Sequence, residues 1–336
     1  MNNHARSTFL LCCTFLLTAC GGGSSSSDTT TPTGTSQTSL TLGISDAPVD
    51  DADAVVVTID TITFKRDGND DVVFDTFNNS ELGIENADTV QIDLLQYQGS
   101  AQINILEGEM IDVGDYNQVI VGILDDDIEA TYLLEKDGDI KAIKLPSDTL
   151  KLGGVSFSEG NDTTALTIEF NLRRSMTYNT GPDRYILKPT GVRVVDNSES
   201  GTISGVVALD TINQSGVDCM ADNNMIYLYE GTDLDTSLLA DNFDSEEANH
   251  GAPDNAIAPI DSTSPSFDDD SQTYQYEFGF VPSGQYTLVY ACNSGEEGDD
   301  PEKYDGDITL PNPETEVITV TVENEAVATQ DFPITQ

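Results

Sequence analysis

The sequence holds no tryptophan among its 336 residues and only two histidines, His4 and His250. Positive charge is scarce as well: 13 Lys and Arg stand against 60 Asp and Glu, a formal net charge of −47. Each shortage argues against a class of function. A chain this acidic repels phosphate backbones, which argues against a nucleic-acid partner. Anionic membrane surfaces repel it too, unless something covalent holds it there. With His4 in a segment expected to be removed, one imidazole is left. That argues against His-rich zinc sites and makes Ser-His-Asp or Cys-His catalysis depend on His250 alone. His250 follows Glu246-Glu247-Ala248-Asn249, a polar stretch that reads as an exposed loop. No uninterrupted amphipathic run is long enough for a major helix.

Residues 9–17 read FLLCCTFLL. Nine apolar residues cannot cross a bilayer core as a helix, which takes about 20, but they suit the core of a secretory signal. Leu17-Thr18-Ala19-Cys20 comes next, then three glycines and four serines. This stretch resembles the lipobox of bacterial lipoproteins: Leu, a small or polar residue, Ala or Gly, then Cys. The resemblance implies a signal peptide over residues 1–19, cleavage before Cys20, and acyl chains such as palmitate on Cys20. The alternative is an ordinary secretory signal with an incidental cysteine. Gly21 stands where the inner-membrane retention signal of such lipoproteins has Asp, which points to the outer membrane and to periplasmic or surface exposure. Several acyl chains hold firmly, since each buried CH₂ contributes roughly 0.8 kcal/mol. Residues 20–37, rich in Gly, Ser and Thr, make a flexible tether.

Beyond the tether the hydrophobic period is two. Thr89-Val90-Gln91-Ile92-Asp93-Leu94 and residues 166–172, LTIEFNL, alternate. Residues 119–124, VIVGIL, are apolar on both faces, as in a central strand. Asp137-Gly138 signals a type I′ hairpin. Val55, Val57 and Ile59 share one face, but Ile62 and Phe64 share the other, so a bulge or bend is expected near Asp60-Thr61. The polar break at residues 196–201 marks a boundary, and charge shifts across it: net −20 over residues 38–200 and −27 over residues 201–336. The expected architecture is all-β, two β-sandwich domains behind a lipid-anchored tether.

The first domain, residues 38–196, opens with LTLGISDAPVDDADAVVVTIDTITF, contains VGDYNQVIVGI and ends in YILKPTGVRVVD. These segments resemble the bacterial lipoprotein family catalogued as domain of unknown function 4382, with Ser45-Asp46-Ala47-Pro48 as a turn before a Val-rich strand. The family implies an envelope β-sandwich and no particular activity. The second domain, residues 201–336, opens with GTISGVV and later has FVPSGQYTL. It resembles transthyretin-like sandwiches of the carboxypeptidase regulatory-like and Cna-B-like kind. A polar insertion at about residues 231–272 departs from their compact pattern.

Acidic clusters are the candidate chemistry. They are Asp50, Asp51 and Asp53, then Asp125, Asp126 and Asp127 with Glu129, then Asp268, Asp269 and Asp270, then Glu296, Glu297, Asp299 and Asp300. Calcium takes several carboxylate and carbonyl oxygens, so such loops are the only candidate sites for it. None has EF-hand spacing, and a solvated acidic surface is the preferred reading; no cofactor is expected otherwise. Carboxylate pairs can also hydrolyse glycosides, but 60 acids make a chance pair inevitable. Arg173, Arg174, Lys188 and Arg193 are the densest positive charges and are expected to pair with neighbouring carboxylates. The leading function is a non-enzymatic binding or structural module of the cell envelope. Its partners are outer-membrane lipid, through Cys20, and an envelope protein or glycan of unidentified kind. The alternative is a carboxylate-dependent envelope hydrolase, with or without calcium.

Cys12 and Cys13 leave with the signal and Cys20 becomes the anchor, so Cys219 and Cys292 are left. Two cysteines in an exported chain favour a disulfide over two free thiols. It closes a loop of about 74 residues and stabilises by roughly 4 kcal/mol in the chain-entropy model. Alkylation of unfolded, unreduced protein should therefore label neither residue, and labelling of both rules the bridge out.

Overall fold

The computed structural model describes residues 36–333 except 48–51, 126, 161–162, 213–223, 246–248, 293 and 295–302. The signal segment, Cys20, Asp50, Asp51, Asp126, Cys219, Glu296, Glu297, Asp299 and Asp300 lie outside the described residues. Residues 36–336 form one compact unit. Among the described residues regular structure is almost all strand, and the two α-helices, Leu172–Ser175 and Leu209–Ile212, have four residues each.

Period-two patterning builds the first sandwich. Leu40, Leu42 and Ile44 of strand Gln37–Ala47 are fully buried. That strand runs parallel to Thr163–Asn171 and antiparallel to Ile103–Asp112, and Val192–Asp196 completes a four-stranded sheet. The facing nine-stranded sheet is organised by the 14-residue strand Ala52–Lys65. Its first half pairs with Val90–Asp93 and Tyr132–Glu135, its second with Gln118–Ile123 and Val72–Phe74. A register shift between Ile59 and Thr61 is the expected bulge. It rotates the second half, so Val55, Val57, Ile59, Ile62 and Phe64 all enter one core with no exposure.

Strands Tyr132–Glu135 and Ile140–Lys144 form the expected hairpin, but its turn differs. Only Gly138 has positive φ, at 91°, whereas type I′ needs it at both central residues. Glu135 and Asp139 close a three-residue loop instead, with the amide of Glu135 donating to the Asp139 carbonyl; this is the turn-plus-bulge alternative. Ser45, Asp46 and Ala47 are likewise not a turn. They are the buried end of strand Gln37–Ala47, where the Ser45 hydroxyl lies 2.7 Å from the Ala101 carbonyl.

The chain passes from Val192–Asp196 through a single 3₁₀ turn, Asn197–Glu199, straight into strand Ser200–Val207. Two four-stranded sheets follow. One orders Ser266–Asp268, Thr273–Pro282, Ser200–Val207 and Val327–Thr329; the other orders Asp261–Thr263, Met225–Glu230, Gly284–Ala291 and Val317–Val322. Ile226 and Leu228 point into the core between them, while Met225, Tyr227 and Tyr229 point outward yet are buried. The segment expected as a polar insertion covers that outer face. It buries Leu239, Ala240 and Phe243, and the Tyr229 hydroxyl donates to the Ala240 carbonyl at 2.5 Å.

Phe64 centres an aromatic group in the first core, meeting Phe74, Tyr116 and Phe157 edge-on at 5.8–6.0 Å between ring centroids. Truncation leaves a cavity that rigid sheets cannot collapse. Phe64→Ala should cost about 3–5 kcal/mol in urea unfolding, whereas Val327→Ala, 65% exposed, should cost under about 0.5 kcal/mol.

Candidate functional site

Among the described residues, the acidic clusters named above do not converge. Asp125 is occupied by Lys144, 2.9 Å away, and by the amide of Leu145. Asp127 accepts the amide of Glu129. Asp268 accepts the amide of Ser271, which holds its carboxyl below the ordinary range. Asp269 and Asp270 are exposed in the turn after strand Ser266–Asp268. The structure does gather Glu135, Asp137 and Asp139 at the hairpin tip. Lys141 sits 4.0 Å from Glu135, 3.6 Å from Asp139 and 2.9 Å from Asp183, which compensates that cluster. His250 is half-buried rather than exposed. Its ring stacks on Phe243 at 4.9 Å, and Nδ1 accepts the amide of Ala252.

The acids that do converge lie where the two sandwiches meet. Leu166, Ile168 and Phe170 turn into the first core. The strand period therefore turns Glu169 and Asn171 to the opposite face. Register places Arg193 directly across from Glu169, and Arg193 Nε lies 2.9 Å from Glu169 Oε2. The same guanidinium reaches Asp261 of the second sandwich at 3.4 Å. Asp261 also accepts the amide of Ser262 at 2.8 Å and the side-chain amide of Asn171 at 2.6 Å. Asn171 in turn caps the helix Leu172–Ser175, its Oδ1 accepting the amide of Arg174. That cap aims Arg174 across the joint, where its Nη1 donates to the Ile260 carbonyl at 2.7 Å. Gly191, at φ 85°, makes room: a Cβ there would lie 2.7 Å from Arg174 Cβ.

Burial sets the protonation of these groups. Glu169 is 3% exposed. Desolvation pushes its carboxyl up to about 8, against the pull of Arg193 and with a further push from Asp261. Asp46 lies 1% exposed at the end of its strand, and neither oxygen accepts a hydrogen bond. Desolvation, then repulsion from Glu169 and Asp261, raises it well above the carboxylate range. Asp261 is also raised by burial, against the opposing pull of Arg193 and its hydrogen bonds.

A cavity of about 330 Å³ opens beside these groups, lined among others by Glu169, Asn171, Arg174, Arg193, Glu230 and Tyr286. A second, of about 530 Å³, is lined by polar residues including Gln98, Gln275, Glu277 and Asp331. Its acids are engaged: Glu277 accepts the amide of Ser100 at 2.6 Å, and Asp331 the amide of Val206 at 2.8 Å. Of the basic residues expected to pair with carboxylates, Arg193 does so with Glu169 and Asp261, whereas Arg174 is held by the Ile260 carbonyl; the acids Asp46, Glu169 and Asp261 were not singled out in the sequence because they are scattered along the chain. One signal was available. Asp46 continues the buried series Leu40, Leu42, Ile44 and is the lone acid in it.

Residues 37–189 match the family described as Domain of unknown function (DUF4382). That span contains Asp46, Glu169 and Arg174 and stops short of Arg193 and Asp261. Curated proteins give no match. Solved structures similar to this chain include the Bacillus anthracis TIE protein, at 9% identity and TM-score 0.18, covering 87% of this chain and 33% of that one. A leucine-rich repeat protein from Bacteroides thetaiotaomicron is 10% identical at TM-score 0.22, covering 89% of this chain and 26% of that one. GBS52, the minor pilin of Streptococcus agalactiae, is 9% identical at TM-score 0.18, covering 89% and 98%. This chain thus spans about a third and a quarter of the first two.

Glu169 gives stability a defined pH dependence. An ordinary glutamate titrates near 4.5 and this one near 8. Between those values the folded chain holds a proton that the unfolded chain has released, so stability falls as pH rises from about 4.5 to about 8. Glu169→Gln removes that titration and should make the midpoint of urea unfolding fall less steeply over this window than in the parent, Asp46 and Asp261 keeping their own raised titrations. Equal slopes in both proteins would show that Glu169 is not the group responsible.

Proposed function

We propose that the chain is a non-enzymatic binding or structural module of the cell envelope, anchored to the outer membrane through acylated Cys20. The observation that carries this reading is the order of segments: apolar run, Leu17-Thr18-Ala19-Cys20, then Gly and Ser up to a folded β unit. With residues 20–37 as a flexible chain, the folded part moves within roughly 25 Å of the bilayer surface. The acids of the joint support the non-enzymatic part of the reading. Glu169 and Asp261 are both bound by Arg193, in a geometry that fastens one sandwich to the other. The outward acids spread over separate loops and serve as a solvated surface. A Cys219–Cys292 bridge suits an exported chain, and Cys292 is fully buried in the second core.

Cys20→Ser removes the only cysteine placed for acylation. The parent should take up radiolabelled palmitate and fractionate with outer membrane, and the variant should do neither. Palmitate incorporation by the variant contradicts the anchor. Soluble parent protein free of label contradicts the lipoprotein reading itself.

A further inference from the structure

Arg193 spends its charge on two carboxylates, whereas Arg174 does not. The Arg174 guanidinium donates to one backbone carbonyl, that of Ile260. No carboxylate oxygen among the described residues lies within 4.0 Å of it. A guanidinium carries five N–H donors in a planar fork. Those not given to Ile260 are free for the cavity of about 330 Å³ that Arg174 lines. Burying a guanidinium this way is costly, and desolvation indeed lowers its pKa. Such a cost is offset when a ligand completes the hydrogen bonds.

We propose that this cavity binds a small organic monocarboxylate, gripped by the fork of Arg174. The inference rests on the binding-module reading above and adds a ligand class to it. The carboxylate fits because its two oxygens match a guanidinium edge, giving paired charge-assisted hydrogen bonds. Size follows from volume: the cavity is near the lower end of small-molecule pockets, roughly 300–1,000 Å³, so the ligand is about one ring large. The Tyr286 ring, Val192 and Ile260 give it apolar walls. Single charge follows from the rim, where Glu230 is exposed and repels a second anionic group.

The charges facing Arg174 are Asp261, Asp244, Glu169 and Arg193. Near pH 7 the Glu169 carboxyl is largely protonated and tolerates an anion beside it. Above its titration it becomes a second negative charge next to the ligand, so affinity falls in alkali.

The test is calorimetry on the purified full chain with acetate and D-glucuronate, each against its uncharged counterpart, acetamide and D-glucose. At least one carboxylate should saturate and neither neutral compound should. Arg174→Gln should weaken binding roughly tenfold or more, as loss of a bidentate charged contact does. Glu230→Gln should strengthen it about two- to fivefold by removing a like charge; misfolding cannot imitate that gain. Binding at pH 9.5 should be several-fold weaker than at pH 6.5. No saturation by either carboxylate up to roughly 50 mM overturns the proposal. Equal binding of charged and uncharged probes, or an unchanged affinity in both variants, overturns it too. Palmitate labelling of Cys20 is untouched by any of these results, so loss of the ligand and loss of the anchor are separable.

Discussion

Arg193 is the contact on which the arrangement of the two sandwiches depends. It stands on the last strand of the first sandwich, pairs across that sheet with Glu169, and reaches Asp261 on the second. Each ion is costly to bury, by several kcal/mol after relaxation. The cost is recovered only when every charge has partners at hydrogen-bond distance. The joint meets this condition best at Asp261, which Arg193, Asn171 and the amide of Ser262 all address. Asp46 has less help: burial and the repulsion of Glu169 and Asp261 outweigh the pull of the backbone amides of Leu172 and Ala47 and raise its carboxyl.

This polar joint is closed by backbone as well as side chains. A Cβ on Gly279 of the second sandwich would lie 2.1 Å from the carbonyl oxygen of Gly99 in the first. A glycine is required at that approach. Two steps along the strand, Glu277 accepts the amide of Ser100. The contact between halves is therefore a set of directional bonds around a tight backbone crossing. Their hydrophobic cores stay separate: the first ends at Val192 and the second begins at Ile203.

The strands were legible in the sequence because one face of each is buried and the pleat repeats every two residues. The slip between Ile59 and Ile62 revealed a bulge for the same reason. The joint was hidden because its members look ordinary locally. Glu169 occupies an outward position in LTIEF, where an acid normally faces water. Nothing within that strand tells that a second sandwich covers it. Residues 231–272 misled by composition, since their polar content reads as loop. In fact Asp261, Ser262 and Thr263 are at most 1% exposed and form an edge strand on Met225–Glu230. A polar segment can be interior when neighbours supply most of its hydrogen bonds, and composition does not report neighbours.

Charge placement separates two uses of the same residue type. Most of the acids among the described residues face water, where salt screens them within about 8 Å at physiological strength. There they set solubility and repel other anions. At the joint that screening is absent, so three carboxylates must be balanced by guanidiniums or protons. The chain supplies two arginines, and burial shifts Asp46, Glu169 and Asp261 toward their protonated forms. Replacing this set with apolar side chains of equal volume could hold the sandwiches as firmly. It would remove the feature an apolar joint cannot have: a half-buried guanidinium, Arg174, whose spare donors face a cavity. Arg174 fastens the second sandwich through the Ile260 carbonyl. Its remaining donors suit a hydrogen-bond acceptor in the cavity it lines, water by default and a carboxylate by better fit.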